Sequence, residues 1–233
     1  AMVQLSPVTQ FRSGAGYQYE DTVIYGFSHT NKGHWNLLHL PVLPVTGNVS
    51  SGDYASTYSH SNESARPGYY QVFLERYGVN AELTSTLRCA YHKYTFRPDD
   101  DKKVLVDITR TNNGVRDWSI QKVDDYTFSG NQDAEGNIRF YAVSNYKIED
   151  IRQLKDGEHE VSVVSFADSK GSKPLELKIG FSFVSIDNAK MNLEQEMKDK
   201  SFVQVRKEAD KTWENLLSKI EVTGGIEREK GIF

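Results

Sequence analysis

Apolar and polar residues alternate along much of the first 184 residues, and this alternation is typical of half-buried β-strands. Within residues 81–87, for example, Leu83, Ser85 and Leu87 fall on one face. Short strands are predicted over residues 2–5, 23–27, 68–74, 81–87, 89–96, 103–108, 118–123, 126–131, 138–145, 160–166 and 175–184. Because these strands recur at an even spacing, they predict a sandwich of antiparallel sheets.

Prolines and small polar residues interrupt this pattern near the start of the chain. Pro7 is expected to stop the first strand. Residues 37–45 contain Pro41 and Pro44 and are expected to form an edge strand, because proline cannot donate to a β-ladder. Residues 47–63 are rich in Ser, Asn and Gly and predict a long surface connection.

The apolar period becomes helical after residue 184. Ser185 can cap a helix that runs to about residue 198, and Ser201 can cap a second helix. The second helix carries an apolar stripe of Phe202, Val205, Ala209, Trp213, Leu216, Leu217 and Ile220. Another helical stretch begins at Ile226. The predicted fold class is mainly β, an antiparallel, supersandwich-like β-sandwich followed by two C-terminal linker helices.

Composition narrows the class of protein. The 233 residues include 13 Tyr and 11 Phe against 6 Pro, which favours an aromatic-rich β-protein over a disordered chain. The net charge is −4 with both signs interspersed, so no basic surface indicates nucleic-acid binding. No apolar run approaches the roughly 20 residues of a membrane-spanning helix. Cys89 is the one cysteine, and its strand-like context favours a small buried side chain over a nucleophile.

Residues 24–36 begin as a strand and continue as a loop of hydroxyl, imidazole, amide, ammonium and indole side chains. Such a loop suits a sugar, because the indole of Trp35 can cover the apolar side of the ring while amides and imidazoles bond its hydroxyls. An ordinary surface loop with a structural histidine is the alternative. His29 and His34 have no Cys or carboxylate beside them, so the spacing does not indicate a zinc site.

Acidic residues offer no catalytic pair. The triplet over residues 99–101 lacks the alternating spacing and the distant Glu of an EF-hand, and it is interpreted as a solvated turn. Adjacent carboxylates on a strand point to opposite faces. This argues against catalysis by Glu20-Asp21, Asp124-Asp125 and Glu149-Asp150. No catalytic residue and no metal ligand is nominated in this chain.

Several motifs along nearly the whole chain carry a resemblance to a known family. They lie over residues 2–7, 16–19, 24–30, 58–60, 65–70, 81–86, 92–96, 212–215 and 218–222. The third of them reads Ile24-Tyr25-Gly26-Phe27-Ser28-His29-Thr30. In order and spacing these motifs resemble the start of family 92 glycoside hydrolases, the calcium-dependent exo-α-mannosidases.

The resemblance implies a domain organisation and an activity. It implies a β-sandwich domain over residues 1–184, a helical linker over 185–222, and the start of a helical barrel over 223–233, with the chain truncated at both ends. In this family the catalytic acid, the base and the calcium ligands lie in the barrel, so the isolated chain is expected to be inactive and to hold no metal. The parent enzyme is expected to hydrolyse terminal, α-1,2-linked mannose from glycans by inversion. It is expected to act in the periplasm, at the cell surface or as a secreted protein.

The resemblance also implies substrate-binding residues at the interface with the barrel. They are Ser28, His29, Thr30, His34, Trp35 and Asn36. His34 and Trp35 are expected to contact the sugar beyond the scissile bond, while His29 and Thr30 shape the loop. After Thr30 the sequence departs from the commonest family pattern, which bears on the linkage that is cleaved.

Two other functions remain as alternatives. A free-standing carbohydrate-binding β-sandwich module would use the same Trp35 platform without catalysis. A structural or adhesive sandwich would need no ligand and could tolerate the polar loop. The expected partners are a mannose-containing glycan and the protein's own helical barrel, with no nucleic acid and no membrane span.

Overall fold

Two stacked antiparallel sheets contain most of the strands in the computed structural model, which describes residues 3–32, 35–157, 159–221 and 223–230. The strands, in chain order, are β1 Ser6–Val8, β2 Val23–Ile24, β3 Gly26–Ser28, β4 Asn31–Lys32, β5 Trp35–Asn36, β6 Val42–Val45, β7 Ser56–Thr57, β8 Glu63–Arg66, β9 Tyr69–Leu74, β10 Val79–Ser85, β11 Cys89–Thr95, β12 Lys103–Val106, β13 Asp117–Lys122, β14 Thr127–Asp133, β15 Ile138–Ser144, β16 Ile148–Asp156, β17 His159–Phe166 and β18 Leu175–Ser182.

One sheet has six strands in the order β1-β3-β6-β12-β17-β16, and the other has eight in the order β13-β14-β15-β18-β11-β10-β9-β8. Strands β2 and β7 form a small ribbon, and β4 and β5 form another. Apolar side chains from both large sheets join in one buried cluster between them. The predicted antiparallel sandwich is therefore confirmed, because alternating side chains place one face of each sheet in this core.

The alternation is clearest in β18, which lies in the middle of the eight-stranded sheet. Leu175, Leu177 and Ile179 are fully buried in the core between the sheets. Lys178 and Gly180 alternate with them and face the helices on the other side of the sheet. A strand in this position is covered on both faces, so even its outward residues are protected from water.

The two predicted C-terminal helices are present, and they pack on the outer face of the eight-stranded sheet. Helix α1 spans Ile186–Met197 and α2 spans Phe202–Leu217, and a short α3 follows at Glu227–Lys230. A second buried cluster joins the helices to β9 and β11; its members are Tyr69, Cys89, Tyr91, Leu193, Met197, Phe202 and Val205. No helix among the described residues is long and apolar enough to cross a membrane.

The helix caps have the predicted chemistry. The Ser185 hydroxyl accepts a hydrogen bond from Asn188 N–H at 3.0 Å. Ser201 and Gln204 form a reciprocal capping box at the start of α2. Each cap satisfies backbone donors that the first helical turn leaves without partners.

The apolar stripe of α2 is buried over its first part only. Phe202 and Val205 are buried, whereas Trp213 is 45% exposed and Ile220 is 67% exposed. The helix crosses the tight turn at Gly68, where an added Cβ would lie 2.9 Å from Ala209 and 3.2 Å from Trp213. Gly68 lies at the tip of the β8–β9 hairpin, where the sheet ends. The C-terminal part of α2 therefore extends past the sheet and does not pack on it.

Two predictions about proline were wrong. The first strand is β1, which includes Pro7 instead of stopping before it. Pro7 is tolerated because β1 is the edge of its sheet and has β3 as its one neighbour. Strand β6 is an interior strand, although it contains Pro44. Strand β6 pairs with β3 only at Val42. At Pro44 the edge of β6 that faces β3 therefore makes no β-sheet hydrogen bond, and the missing N–H is tolerated there.

Two strands of the large sheets, β16 and β8, were missed in the sequence, and so were the two-residue strands β4, β5 and β7. Strand β16 is long, but most of its residues are exposed and its apolar positions do not alternate. Strand β8 lies at the end of the polar stretch that was interpreted as a connection, and three of its four residues are exposed. Both are edge strands, which are held mainly by backbone bonds to one neighbour and so carry little hydrophobic pattern.

Candidate functional site

Four loops meet at one end of the sandwich, which we call the loop end. It comprises residues 11–16, 28–40, 109–116 and 133–137. The Asn112 amide donates to Ser13 C=O at 2.8 Å and to Asn36 C=O at 2.5 Å, which joins three of these loops. The fourth is tied in by an ion pair of 2.9 Å between Lys32 and Glu135.

The predicted site residues occupy different depths in the loop end. Ser28, His29, Thr30 and Asn36 are buried, with at most 1% of each exposed. Trp35 is half-buried. His34, the remaining predicted residue, lies outside the described residues. The four buried side chains bond to the protein itself, so their contact with a substrate stays a prediction.

Asn36 fixes the base of the hairpin formed by β4 and β5. Its amide donates to the Ser28 hydroxyl at 3.1 Å and to Ala15 C=O at 3.3 Å, and its carbonyl oxygen accepts from Leu38 N–H at 2.9 Å. Gly16 allows this approach, because a Cβ there would lie 2.7 Å from the Asn36 amide nitrogen. A single buried amide therefore joins three segments of the loop end.

Trp35 lies on the hairpin opposite Lys32. Its indole packs against Gly14, where an added Cβ would be 3.5 Å from Cε3. The Lys32 side chain is 74% exposed and pairs with Glu135, which raises the pKa of the lysine. The hairpin thus presents an indole supported from behind by backbone, with a charged pair beside it.

His29 is the start of a chain of buried hydrogen bonds. Its Nε2 lies 3.0 Å from Nε2 of His92, and Nδ1 of His92 lies 2.7 Å from the Tyr94 hydroxyl. Nδ1 of His29 lies 3.4 Å from His39 C=O, which can only accept. One assignment satisfies every group: Tyr94 donates to His92, His92 donates to His29, and His29 donates to the carbonyl.

That assignment requires both imidazoles of the pair to be neutral. Burial lowers the pKa of His29 to about 3 and lowers that of His92 well below its ordinary value. The ring of Phe181 lies 4.7 Å from that of His29, so the surroundings are apolar as well. His29 is therefore a satisfied core histidine, and its effect on the loop is to position the backbone that follows β3.

The segment around His39 has an unusual backbone. Leu38 and Leu40 have φ of +55° and +48°, in the left-handed region that non-glycine residues rarely adopt. The Leu40 N–H donates to the buried Gln132 side chain at 2.9 Å, and the Thr30 hydroxyl bonds Nδ1 of His39 at 2.6 Å. These bonds hold a conformation that costs on the order of 1 kcal/mol per residue, so the shape of this loop is imposed by its surroundings.

A buried ionic cluster under the loop end was not predicted. The Asp107 carboxylate is fully buried and accepts hydrogen bonds from the Tyr54 hydroxyl and from His159 Nε2 at 3.0 Å. It also forms an ion pair with Arg110, whose Nε lies 3.4 Å away. The Arg110 guanidinium lies over the Phe11 ring at 4.7 Å. Asp107 and Arg110 lie three positions apart, but no local sequence signal could reveal that Tyr54 and His159 join them, because these two are more than 50 positions from Asp107.

The loop end supports ligand positioning and not bond cleavage. Asp107 is fully engaged by donors, and Glu135 is paired with an exposed lysine, so neither is available as a general acid or base. Among the described residues no cluster of three His, Cys, Asp or Glu side chains could hold a metal ion. These residues do not fit a calcium site.

Comparison with family models gives two matches. The model described as the glycosyl hydrolase family 92 N-terminal domain matches residues 1–182, and the model described as the family 92 catalytic domain matches residues 188–233. No curated protein gives a significant match to the chain.

Solved structures give the same family. The family GH92 α-mannosidase BT3965 from Bacteroides thetaiotaomicron has a TM-score of 0.86 at 27% identity, over 96% of this chain and 35% of that one. The GH92 inverting mannosidase BT2199 from Bacteroides thetaiotaomicron VPI-5482 has a TM-score of 0.83 at 22% identity, over 97% and 33%. At this identity the second supports the fold alone. The chain spans about a third of the length of either relative.

Proposed function

The chain belongs to glycoside hydrolase family 92, and from that premise we propose that it is the N-terminal lobe of an exo-acting α-mannosidase. The whole enzyme would remove terminal mannose from glycans by inversion, with a preference for α-1,2 linkages. Inversion needs a carboxylic acid on the leaving oxygen and a carboxylate that activates water on the opposite face of the sugar. We assign both groups, and any calcium, to the catalytic domain.

The Trp35 hairpin is the structural feature that supports a role for this chain in binding the sugar. The indole is half-buried, rests on Gly14 and lies on a hairpin whose base is locked by the buried Asn36 amide. A rigid aromatic surface loses little conformational freedom when a sugar stacks on it. We propose that Trp35, together with His34, forms the wall of the cleft beyond the scissile bond.

The buried site residues have a different role in this proposal. We propose that Ser28, His29, Thr30 and Asn36, each of which is enclosed by protein in this chain, contribute to substrate binding by positioning the hairpin. Their hydrogen bonds determine the direction in which the hairpin leaves β3. A change in any of them is expected to act on the sugar through Trp35.

The domain boundaries and the location are further parts of the proposal. We propose a sandwich domain over residues 1–184, a helical linker over 185–222, and the start of the catalytic domain at 223–233. The family's catalytic-domain model begins earlier, at residue 188 within α1, so the linker helices lie inside the region that it matches. Export to the periplasm or the cell surface is proposed from the family resemblance.

The test is a Trp35→Ala substitution in a protein that carries this chain together with a complete family 92 catalytic domain. The expected result is at least a tenfold loss of kcat/KM on α-1,2-mannobiose, while Trp35→Phe keeps most of the activity because it keeps an aromatic face. Equal melting temperatures of the two variants exclude a folding defect. Unchanged kcat/KM and an unchanged ranking of α-1,2-, α-1,3- and α-1,6-mannobiose in Trp35→Ala would contradict the proposal.

A further inference from the structure

A second concave surface lies where the edges of the two sheets approach each other. Strand β1 ends the six-stranded sheet and β8 ends the eight-stranded sheet, and a pocket of about 510 Å³ opens between them. Its lining includes Tyr17, Tyr19, His60, Glu63 and Tyr70 but none of the described residues of the β4–β5 hairpin. We call it the edge pocket.

The most exposed aromatic side chain of the edge pocket is supported by a second ring. Tyr19 is 63% exposed, and its ring stacks on the His60 ring at 4.0 Å with an interplanar angle of 4°. Tyr58 contacts the His60 ring edge-on at 5.3 Å. Since one face of Tyr19 is covered by the imidazole, the other face is available to a ligand.

His60 carries a positive charge in this arrangement. Its Nδ1 lies 2.6 Å from the Glu63 carboxylate, and its Nε2 lies 2.7 Å from Tyr19 C=O. Both of these oxygens accept hydrogen bonds, so both ring nitrogens carry protons. The bond to Glu63 also raises the pKa of His60.

Glu63 is held by three donors. Besides His60, the Tyr17 hydroxyl donates to it at 3.1 Å and the Tyr70 hydroxyl donates at 2.6 Å. The charge of Glu63 is balanced by that of His60, so the pair adds no net charge to the edge pocket. The two tyrosine oxygens keep lone pairs that can accept hydrogen bonds from a ligand.

We propose that the edge pocket binds one pyranose unit of a glycan, with the apolar side of the sugar on the open face of Tyr19 and its hydroxyls toward Tyr17 and Tyr70. A neutral ring with an apolar side and a polar rim suits a neutral pocket with an aromatic face and hydroxyl acceptors. A cationic ligand is disfavoured, because the imidazolium of His60 lies directly behind the Tyr19 ring. That the sugar is mannose rests on the proposed function.

The test measures binding of α-1,2-mannobiose to the 233-residue chain by ligand-observed NMR and calorimetry. The expected results are a millimolar Kd for the unchanged chain, at least a tenfold weaker Kd for Tyr19→Ala, and little change for Tyr19→Phe. Tyr126→Ala is the matched control, because Tyr126 is 49% exposed and does not line the edge pocket. It is expected to bind as the unchanged chain does.

Three outcomes would overturn the inference. In the first, the chain binds none of mannobiose, cellobiose and chitobiose at 20 mM. In the second, Tyr19→Ala and the unchanged chain bind the sugar with equal Kd values. In the third, the chain binds tetramethylammonium but no sugar. Failure of the proposed function has a different signature. Binding of cellobiose or chitobiose alone, lost in Tyr19→Ala and kept in Trp35→Ala, would support the edge pocket while counting against a mannosidase.

Discussion

Acidification is expected to destabilise this fold through the buried pair of His29 and His92. In the folded chain burial lowers the pKa of His29 to about 3 and lowers that of His92 strongly, whereas in the unfolded chain both return to about 6.5. The unfolded state therefore binds more protons as the pH falls below about 6.5. Stability is highest above that pH and declines as the pH approaches 3.

The magnitude follows from the difference in pKa. A histidine that stays neutral at pH 5 in the folded state while it is protonated in the unfolded state costs about 2 kcal/mol relative to pH 7.5. For His29 this is a substantial part of the 5–15 kcal/mol that stabilises a typical domain, and the lowered pKa of His92 adds a cost of the same sign. His39, whose pKa burial lowers to about 4, adds a further cost of the same sign.

The perturbation that isolates the pair is the triple substitution His29→Leu, His92→Leu and Tyr94→Phe. It removes the two imidazoles and the Tyr94 hydroxyl at once, so no buried side-chain donor of this chain is left without a partner. Urea unfolding at pH 7.5 and pH 5.0, followed by far-UV circular dichroism, gives the loss of stability in each variant. The triple variant is expected to lose at least about 2 kcal/mol less than the unchanged chain between the two pH values, since His29 alone accounts for that amount.

His60→Gln is the control for this experiment. His60 is a surface histidine whose pKa is raised, so it stabilises the fold below pH 6.5, and that stabilisation is lost as the pH rises through its folded value. Its removal should leave the acid-induced loss of stability intact or make it steeper. The reasoning would be refuted if the triple variant lost as much stability at pH 5.0 as the unchanged chain.

Three further predictions concern packing. Gly180→Ala should destabilise the fold by about 1–3 kcal/mol in urea unfolding, because its Cβ would lie 2.2 Å from Ala189 C=O. A loss no larger than that of the control Gly14→Ala, where φ is not positive and the nearest atom would be 3.5 Å from the added Cβ, would contradict this. Cys89 should react with iodoacetamide much more slowly in the folded chain than in urea, because burial raises the pKa of its thiol to about 12, and equal rates would exclude a buried thiol. Asn36→Ala should lower the free energy of unfolding by about 1–3 kcal/mol, and an unchanged urea midpoint would show that the amide does not secure the hairpin.

Local pattern determined the architecture and the family of this chain. Alternation predicted the antiparallel sandwich, and Ser185 and Ser201 marked the starts of both packed helices to within a residue. These features depend on neighbours two to four positions away, which is the range that a strand or a helical turn fixes. The motifs that resemble family 92 are also local features, since each is a short run of neighbouring residues and they follow one another in order along the chain.

Tertiary structure alone decided which polar residues are exposed. The sequence placed His29, Thr30 and Asn36 on a polar loop, yet each is enclosed by segments that arrive from elsewhere, including His92 on β11 and Gln132 on β14. The sequence also did not indicate how much of the apolar stripe of α2 packs on the sheet. The period of apolar residues predicts which side of a strand or helix faces inward. Which other element packs on that side depends on contacts between distant parts of the chain, and those contacts determine the environment of each side chain.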